Sequence, residues 1–596
     1  MKQGRGTVEW RHVAGGLAAA LGATALVLAA LGRPASGQPR TSGPPDPKRV
    51  ECTAGRYGGR LVLGTRNAPK TFNGITANET SSTDVTNRLF DQLVYFDNQT
   101  QRTEPGLARS WERSPDGRTW TFHLRHAFFS DGTPITSADV LFTFEVVYDP
   151  KVHPATAELV KVHGQRFQLS APDDSTVVVR LPESYGIFLE VIGAVNIVPR
   201  ARLEAALHEG RFESSYGLNT RPEDLVGSGP WRLKQFVPGE RVVLERNPYW
   251  YEVDPRGRRL PYLDELVWLV EPDQNTELLR FEHGETDAMD MPRSADYPRL
   301  KAGEAASGYK VFDLGVDLRT TFFWFNLNLR ADQRTPYVDP VKYRWFSDLN
   351  FRRAVALAVD RGRMIRLAYQ GQAAPNWGPS TRGNRRWYDP EVKEYTHDLA
   401  RARELLRREG FADRNRDGWL EDPAGNKVQF SIITNADNNT RVSLCNLLRS
   451  DLKELGMDLT VAPVEFNQLI SRIRESRDYD AALLGLGGGV PPDPSLSQNV
   501  WMSRGKQHFW YIDQPRPATP WEAEVDSLME ELSRDDDYPR RKRLWDRVQE
   551  IVTDQAVVIY LPSEKAYVVA SRKLGNLRPT LIPHRVLWNS PQIYLK

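Results

Sequence analysis

The stretch from Val442 to Leu486 restricts the fold more than any other part of the chain. Val442–Leu455 spaces its apolar residues as a helix does, Leu459–Val464 reads as a strand, Phe466–Arg474 as a helix and Ala481–Leu486 as a strand. Strands joined through a helix cannot form a hairpin, so the wiring predicts a parallel pair with a crossover helix. The same alternation runs through the chain. Arg60–Leu63 is a strand ending at Gly64-Thr65, and Trp120–Leu124 alternates apolar and polar residues. Thr136-Ser137-Ala138-Asp139 forms a capping box that starts a helix running through Phe144. Val177–Leu181 is a strand, and Trp231–Phe236 with Arg241–Glu245 reads as a hairpin about Pro238-Gly239. Phe351–Ala368 reads as one long helix and Leu399–Arg408 as another. Helix Leu544–Thr553 and strand Ala556–Leu561 complete an α/β chain.

Composition narrows the function classes. A chain of 596 residues has room for about four domain-sized units. Hydrophobic residues at 40% and charged residues at 26% describe a folded protein, not a disordered or polytopic membrane one. Lys and Arg (79) nearly cancel Asp and Glu (77), so there is no basic footprint for nucleic acid. Two cysteines, Cys52 and Cys445, exclude a disulfide scaffold, a four-thiolate zinc site and an iron–sulfur cluster. Whether the two pair is left open by the sequence.

The N-terminus points to export. Arg5, Arg11 and His12 precede an uncharged run from Val13 to Leu31, and Ala35-Ser36-Gly37 offers a cleavage site before Gln38. Residues 1–37 read as a signal peptide, although the run is long enough to serve as an uncleaved anchor. Residues 38–56, rich in Pro, Gly, Ser and charge, read as a flexible tether. Cys52 follows Arg49-Val50-Glu51, which is not a lipidation site. Without Lys2, Arg5, Arg11, Arg33 and Glu9 the exported chain is near neutral.

Reactive motifs are missing. There is no phosphate loop, no H-E-x-x-H helix and no G-x-S-x-G elbow, and the ten histidines show no ligand spacing. One stretch, Asp413-x-Asn415-x-Asp417-Gly418, matches the first half of a calcium loop. Its twelfth position is Ala424 where a bidentate Glu belongs; Glu421 or Asp422 are the substitutes. Asp413, Asn415 and Asp417 are therefore candidate ligands of a structural calcium, against the plainer reading as an Asx-rich turn.

Four blocks resemble the family 5 extracellular solute-binding proteins of ABC importers, the group of oligopeptide-, dipeptide- and nickel-binding proteins. The first runs from Leu107-Ala108-Arg109-Ser110-Trp111-Glu112 through Pro115-Asp116-Gly117-Arg118-Thr119-Trp120 to Phe129-Ser130-Asp131-Gly132-Thr133-Pro134. The second is Gly227-Ser228-Gly229-Pro230-Trp231 with Glu245-Arg246-Asn247-Pro248-Tyr249-Trp250. The third is Phe325-Asn326 with Phe351-Arg352-Arg353-Ala354-Val355 and Ala358-Val359-Asp360-Arg361, and the fourth is Ala402-Arg403-Glu404-Leu405-Leu406 with Gly410-Phe411.

The resemblance implies a two-lobed type II binding protein, α/β, with an extra subdomain in the first lobe. Lobe I is expected to use 57–95, 223–318 and 566–596, the subdomain 96–222, and lobe II 319–565. It implies a monomer, not an enzyme, that captures a peptide-like or other small solute between two lobes and delivers it to ABC permease and ATPase subunits. The place of action is then the periplasm or the outer face of the cytoplasmic membrane. In the peptide binders of the family, a segment resembling W-x-x-D-x-x-D-P sets an Asp against the peptide amine. Here that segment is Gly487-Gly488-Gly489-Val490-Pro491-Pro492-Asp493-Pro494, with Val490 at the Asp position and Gly487 at the Trp position. A desolvated amine wants a carboxylate, and valine has none. The expectation shifts toward oligosaccharides and other uncharged or acidic solutes, with Gly487, Gly488, Gly489, Val490 and Asp493 as binding candidates. Trp377, Trp501 and Trp510 sit in loop-like stretches and are candidate aromatic walls. The competing class is an exported hydrolase acting on peptide or oligosaccharide, which would need an acid/base or nucleophile set that no motif supplies.

Overall fold

The Ala481–Leu486 strand is apolar on both faces, and it occupies the middle of a sheet covered on both sides. Ala481 and Leu483 join one buried cluster with Phe323, Phe325 and the helices of 349–358 and 399–408. Ala482 and Leu484 join another with Phe322, Trp324 and Trp510. The computed structural model describes residues 46–596 except 155, 158, 163, 272 and 488. The leader expected at 1–37 lies outside those residues.

This sheet, of lobe II, has the order Asp458–Val464, Gln429–Asn435, Ala481–Leu486, Thr320–Phe325, Val558–Tyr560. The first three strands are parallel, and Thr320–Phe325 is antiparallel to both of its neighbours. The crossover helix is Asn439–Lys453, which links Gln429–Asn435 to Asp458–Val464. Gln429–Asn435 thus stands between the two strands that the sequence suggested as neighbours.

The larger sheet, of lobe I, contains Trp231–Val237, Arg241–Arg246, Glu265–Val270, Arg60–Thr65, Ala288–Met289, Ser563–Ser571 and Tyr309–Val316, with Ala373–Ala374 beside Ser563–Ser571. The expected hairpin is its first pair. A four-stranded antiparallel sheet of Ala108–Arg113, Thr119–Leu124, Thr176–Arg180 and Gln168–Asp173 packs into the same buried cluster as the lobe I sheet. There Trp120, Phe122 and Leu124 point inward, as their alternation requires. The Thr136–Asp139 box starts helix Ser137–Tyr148, and the Thr136 N–H donates to Asp139 Oδ2 at 2.9 Å.

Two readings need correction. The helix expected over 351–368 is two, Leu349–Ala358 and Arg361–Ala368. Asp360 turns its carboxylate onto the Arg363 N–H and so caps a second helix. Arg361 then enters the interior, where its guanidinium donates to the carbonyls of Tyr560 and Tyr395. Residues 46–56 are not a free tether. Lys48–Arg49 pairs in parallel with Glu252–Val253, Lys48 Nζ lies 3.0 Å from Glu252, and Val50 is buried. Cys52 packs against the lobe I core and Cys445 is buried in that of lobe II, and both are free thiols.

The chain passes between the two large sheets at Asp317–Arg319 and at Leu561-Pro562. The second crossing sets Ser563–Ser571, including residues 563–565, in the lobe I sheet.

Candidate functional site

Helix Thr80–Leu89 buries Ser82, Val85, Thr86 and Leu89, the spacing of one helical face. Its C-terminal end rests on Gly227-Ser228-Gly229. A Cβ on Gly227 would lie 2.0 Å from the Leu89 carbonyl oxygen, and one on Gly229 2.6 Å from that of Arg88, so only glycine lets the backbones meet. Ser228 Oγ accepts from the Asp91 N–H at 2.8 Å and donates to the Ile197 carbonyl at 2.8 Å. The Gly-Ser-Gly block thus places Asn87, Arg88 and Asp91 on the wall of a cavity of about 690 Å³.

That cavity draws on both lobes. Lobe I supplies Asp91, Tyr95, Trp250 and Tyr251 among others, the C-terminal segment supplies His584 and Trp588, and lobe II supplies Gly489, Val490 and Pro491. A smaller cavity of about 150 Å³ lies by the first crossing, lined by Arg319, Tyr369, Arg441, Gly487 and Glu564. The subdomain also touches lobe II directly. The Gly186 N–H donates to the Ser533 carbonyl at 2.9 Å, and Arg113 pairs with Asp536. A Cβ on Gly186 would come within 1.7 Å of the Asp535 carbonyl oxygen. A Gly186→Val variant is therefore expected to hold the lobes apart. Its small-angle scattering envelope should be larger than that of wild type and its solute affinity lower by about tenfold or more, the scale of a shifted closing equilibrium. An unchanged envelope would count against this contact as a closing contact.

The charges of the large cavity are unevenly satisfied. Burial pushes the Asp91 carboxyl up to about 6, even though it accepts from the Tyr251 hydroxyl at 2.7 Å. Glu252 is tied to Lys48, which also lies 4.0 Å from the Tyr95 ring centroid. Burial raises the pKa of Glu190, and the field of Asp493 adds to it. Burial also works against Asp84, but the bond to His584 Nδ1 at 2.5 Å outweighs it and holds that carboxyl below its ordinary value.

The residues singled out in the sequence separate into several groups. Gly489 and Val490 face the large cavity, with Val490 38% exposed, and Gly487 faces the small one. Gly488 lies outside the described residues. Asp493 is occupied: Arg541 Nη2 sits 2.6 Å away, and the carboxylate caps the following turn through the Ser495 N–H. Trp501 and Trp510 line neither cavity. Trp501 packs edge-on against Trp545 and Trp510 against His508, both inside the lobe II core. Trp377 is half-buried against the same lobe and is likewise absent from both linings.

At the calcium-like loop, Asp413 accepts from the N–H groups of Asp417 and Gly418, Asn415 from that of Asp417, and Asp417 from that of Trp419. Those oxygens are taken by backbone donors in an exposed Asx turn. Asp422, a suggested substitute, accepts from the Trp345 indole. Among the described residues no group of three or more His, Cys, Asp or Glu side chains stands together to hold a metal.

Comparison with known proteins places this geometry. The model for bacterial extracellular solute-binding proteins, family 5 (Middle), matches residues 102–508. A probable ABC transporter-binding protein of Deinococcus radiodurans is 25% identical over 80% of this chain and 82% of its own. The oligopeptide-binding protein AppA of Bacillus subtilis is 25% identical over 85% and 87%. Among solved structures, the periplasmic binding protein MelB of Agrobacterium fabrum C58, in complex with stachyose, superposes with a TM-score of 0.74 at 20% identity, covering 91% of this chain and 86% of that one.

Proposed function

The chain belongs to the bacterial extracellular solute-binding proteins of family 5, and from that premise we propose that its cleft takes a solute other than a free-amine peptide and hands it to an ABC permease. One observation carries the choice of solute: the loop that lobe II contributes to the large cavity presents Val490 there, 38% exposed. The neighbouring Asp493 is held by Arg541 at 2.6 Å. An ammonium brought to this loop would lose its water and gain no carboxylate from it, an unfavourable exchange. The size of the cavity suits a drug-sized or oligosaccharide-sized ligand. Relatives named for oligopeptides, and a structural neighbour solved with stachyose, leave both solute classes within the reach of the fold.

The work asked of such a receptor is capture and closure. Solute binding drives closing only by the difference between its affinities for the closed and open forms. Family membership supports a binding protein rather than a hydrolase. In this reading the closed form docks on the membrane-spanning permease subunits. Among the described residues no helix is long and apolar enough to cross a membrane.

Native and denaturing mass spectrometry of the gently purified chain tests the solute class. A native-only excess mass that fragments as a sugar or an acidic, amine-free solute is the expected result. A co-purified peptide with a free N-terminus would overturn it.

A further inference from the structure

Arg88 is a poorly compensated charge on the wall of the large cavity. It stands in the last turn of helix Thr80–Leu89 and is 5% exposed. Neither its Nε nor its Nη2 has a hydrogen-bond partner. Asp84 and Asp290 act on it only through their field. Each has its own donor: His584 Nδ1 lies 2.5 Å from Asp84, and the Val586 N–H donates to Asp290 at 3.2 Å. Burial pushes the guanidinium down to about 10, so it stays charged at neutral pH.

A buried, unpaired guanidinium is costly, and a side chain kept only for packing could be Leu or Met. We propose that Arg88 is the anchor for an anionic group, a carboxylate or a phosphate-like oxyanion, on the solute that fills the large cavity. This rests on the receptor reading above and deepens it. A planar fork with two free donor nitrogens matches two oxygens of such a group. The two sides of the cleft then agree: lobe II offers no free carboxylate at Val490, while lobe I offers a free cation. Glu190, the carboxylate near the lobe II side, has its pKa raised by burial and by the field of Asp493.

The test uses the full exported chain with inorganic phosphate and with acetate, each titrated at constant ionic strength. The two anions separate an oxyanion site from a carboxylate site. A saturable rise in melting temperature of about 2 °C is expected with at least one of them. Arg88→Met should abolish it and Arg88→Lys should keep part of it. Because Met removes a buried unpaired charge, the unliganded Arg88→Met chain should melt no lower than wild type. A saturable rise that persists in Arg88→Met, no saturable rise in wild type, or a lower melting temperature of unliganded Arg88→Met would each overturn the proposal. The receptor reading fails separately: it falls if wild type carries no co-purified solute and responds to no member of a sugar and blocked-peptide panel, whatever the two anions do.

Discussion

Replacing Asp317 by Ala should destabilise the protein by about 3–5 kcal/mol, the usual cost of removing one partner from a buried ion pair. Asp317 stands where the chain first passes between the lobes, 1% exposed. Its carboxylate meets Arg585 Nη2 at 3.0 Å and Arg319 Nη2 at 2.7 Å, and Arg319 reaches on to Glu564 at 3.6 Å beside the second crossing. Arg319 can turn to solvent, being 42% exposed in its side chain, but Arg585 at 5% cannot. The uncompensated Arg585 is therefore the larger part of the loss. In a cooperative melt of a chain this long the change is about 3–4 °C. Asp317→Asn keeps an acceptor without the charge and should fall between the two.

The pH dependence gives the second reading of the same variant. Burial raises the pKa of Asp317, but Arg319 and Arg585 outweigh it and hold the carboxyl below its ordinary value. A carboxylate depressed in the folded state contributes stability above its unfolded pKa, about 3.9, and loses it as pH falls through the folded value. Wild type and Asp317→Ala should thus differ fully at neutral pH and converge in acid, below about pH 4. A constant difference down to pH 2 would show that the carboxylate acts through shape and not charge. Solute affinity should weaken too, because both crossings loosen together.

Helices and strands whose burial is local were legible in the sequence. Leu399–Arg408 and Ala481–Leu486 have the expected bounds, since a single stripe or an unbroken apolar run decides them. The split at Val359-Asp360 was not, because it depends on one side chain choosing a backbone N–H over solvent. Helix Thr80–Leu89 was missed altogether. Its Thr-Ser-Ser-Thr opening has poor helix propensity, and tertiary packing on Gly227–Gly229 supplies what propensity does not. The cavity lining divides the same way. The lobe II loop was singled out through one departure from a motif, Val490, and it lines the large cavity. Arg88 carried no signal, since an arginine in a polar segment reads as surface until the turn that buries it is known.

Trp510→Ala should cost about 3–5 kcal/mol of stability, the range for removing a large buried aromatic. In the sequence Trp510 sits in a loop-like stretch among Gly, Pro and polar residues and reads as a candidate aromatic wall. In the fold it is 1% exposed. Its ring centroid is 3.8 Å from that of His508 and 6.1 Å from that of Trp521, and its indole N–H donates to Glu522 Oε1 at 3.3 Å. Glu522 in turn closes the capping box of helix Pro520–Arg534 through the N–H and hydroxyl of Thr519. Truncating the indole opens a cavity and removes one of the donors that hold Glu522 charged in a buried place. Trp510→Phe keeps most of the volume and should lose about half as much, the remainder being cavity. A wall residue would behave in the opposite way, with affinity falling and stability nearly unchanged. Denaturant unfolding of the solute-free chain, read beside a binding titration at a temperature where both variants stay folded, separates the two roles. Loss of affinity without loss of stability would return Trp510 to the cleft.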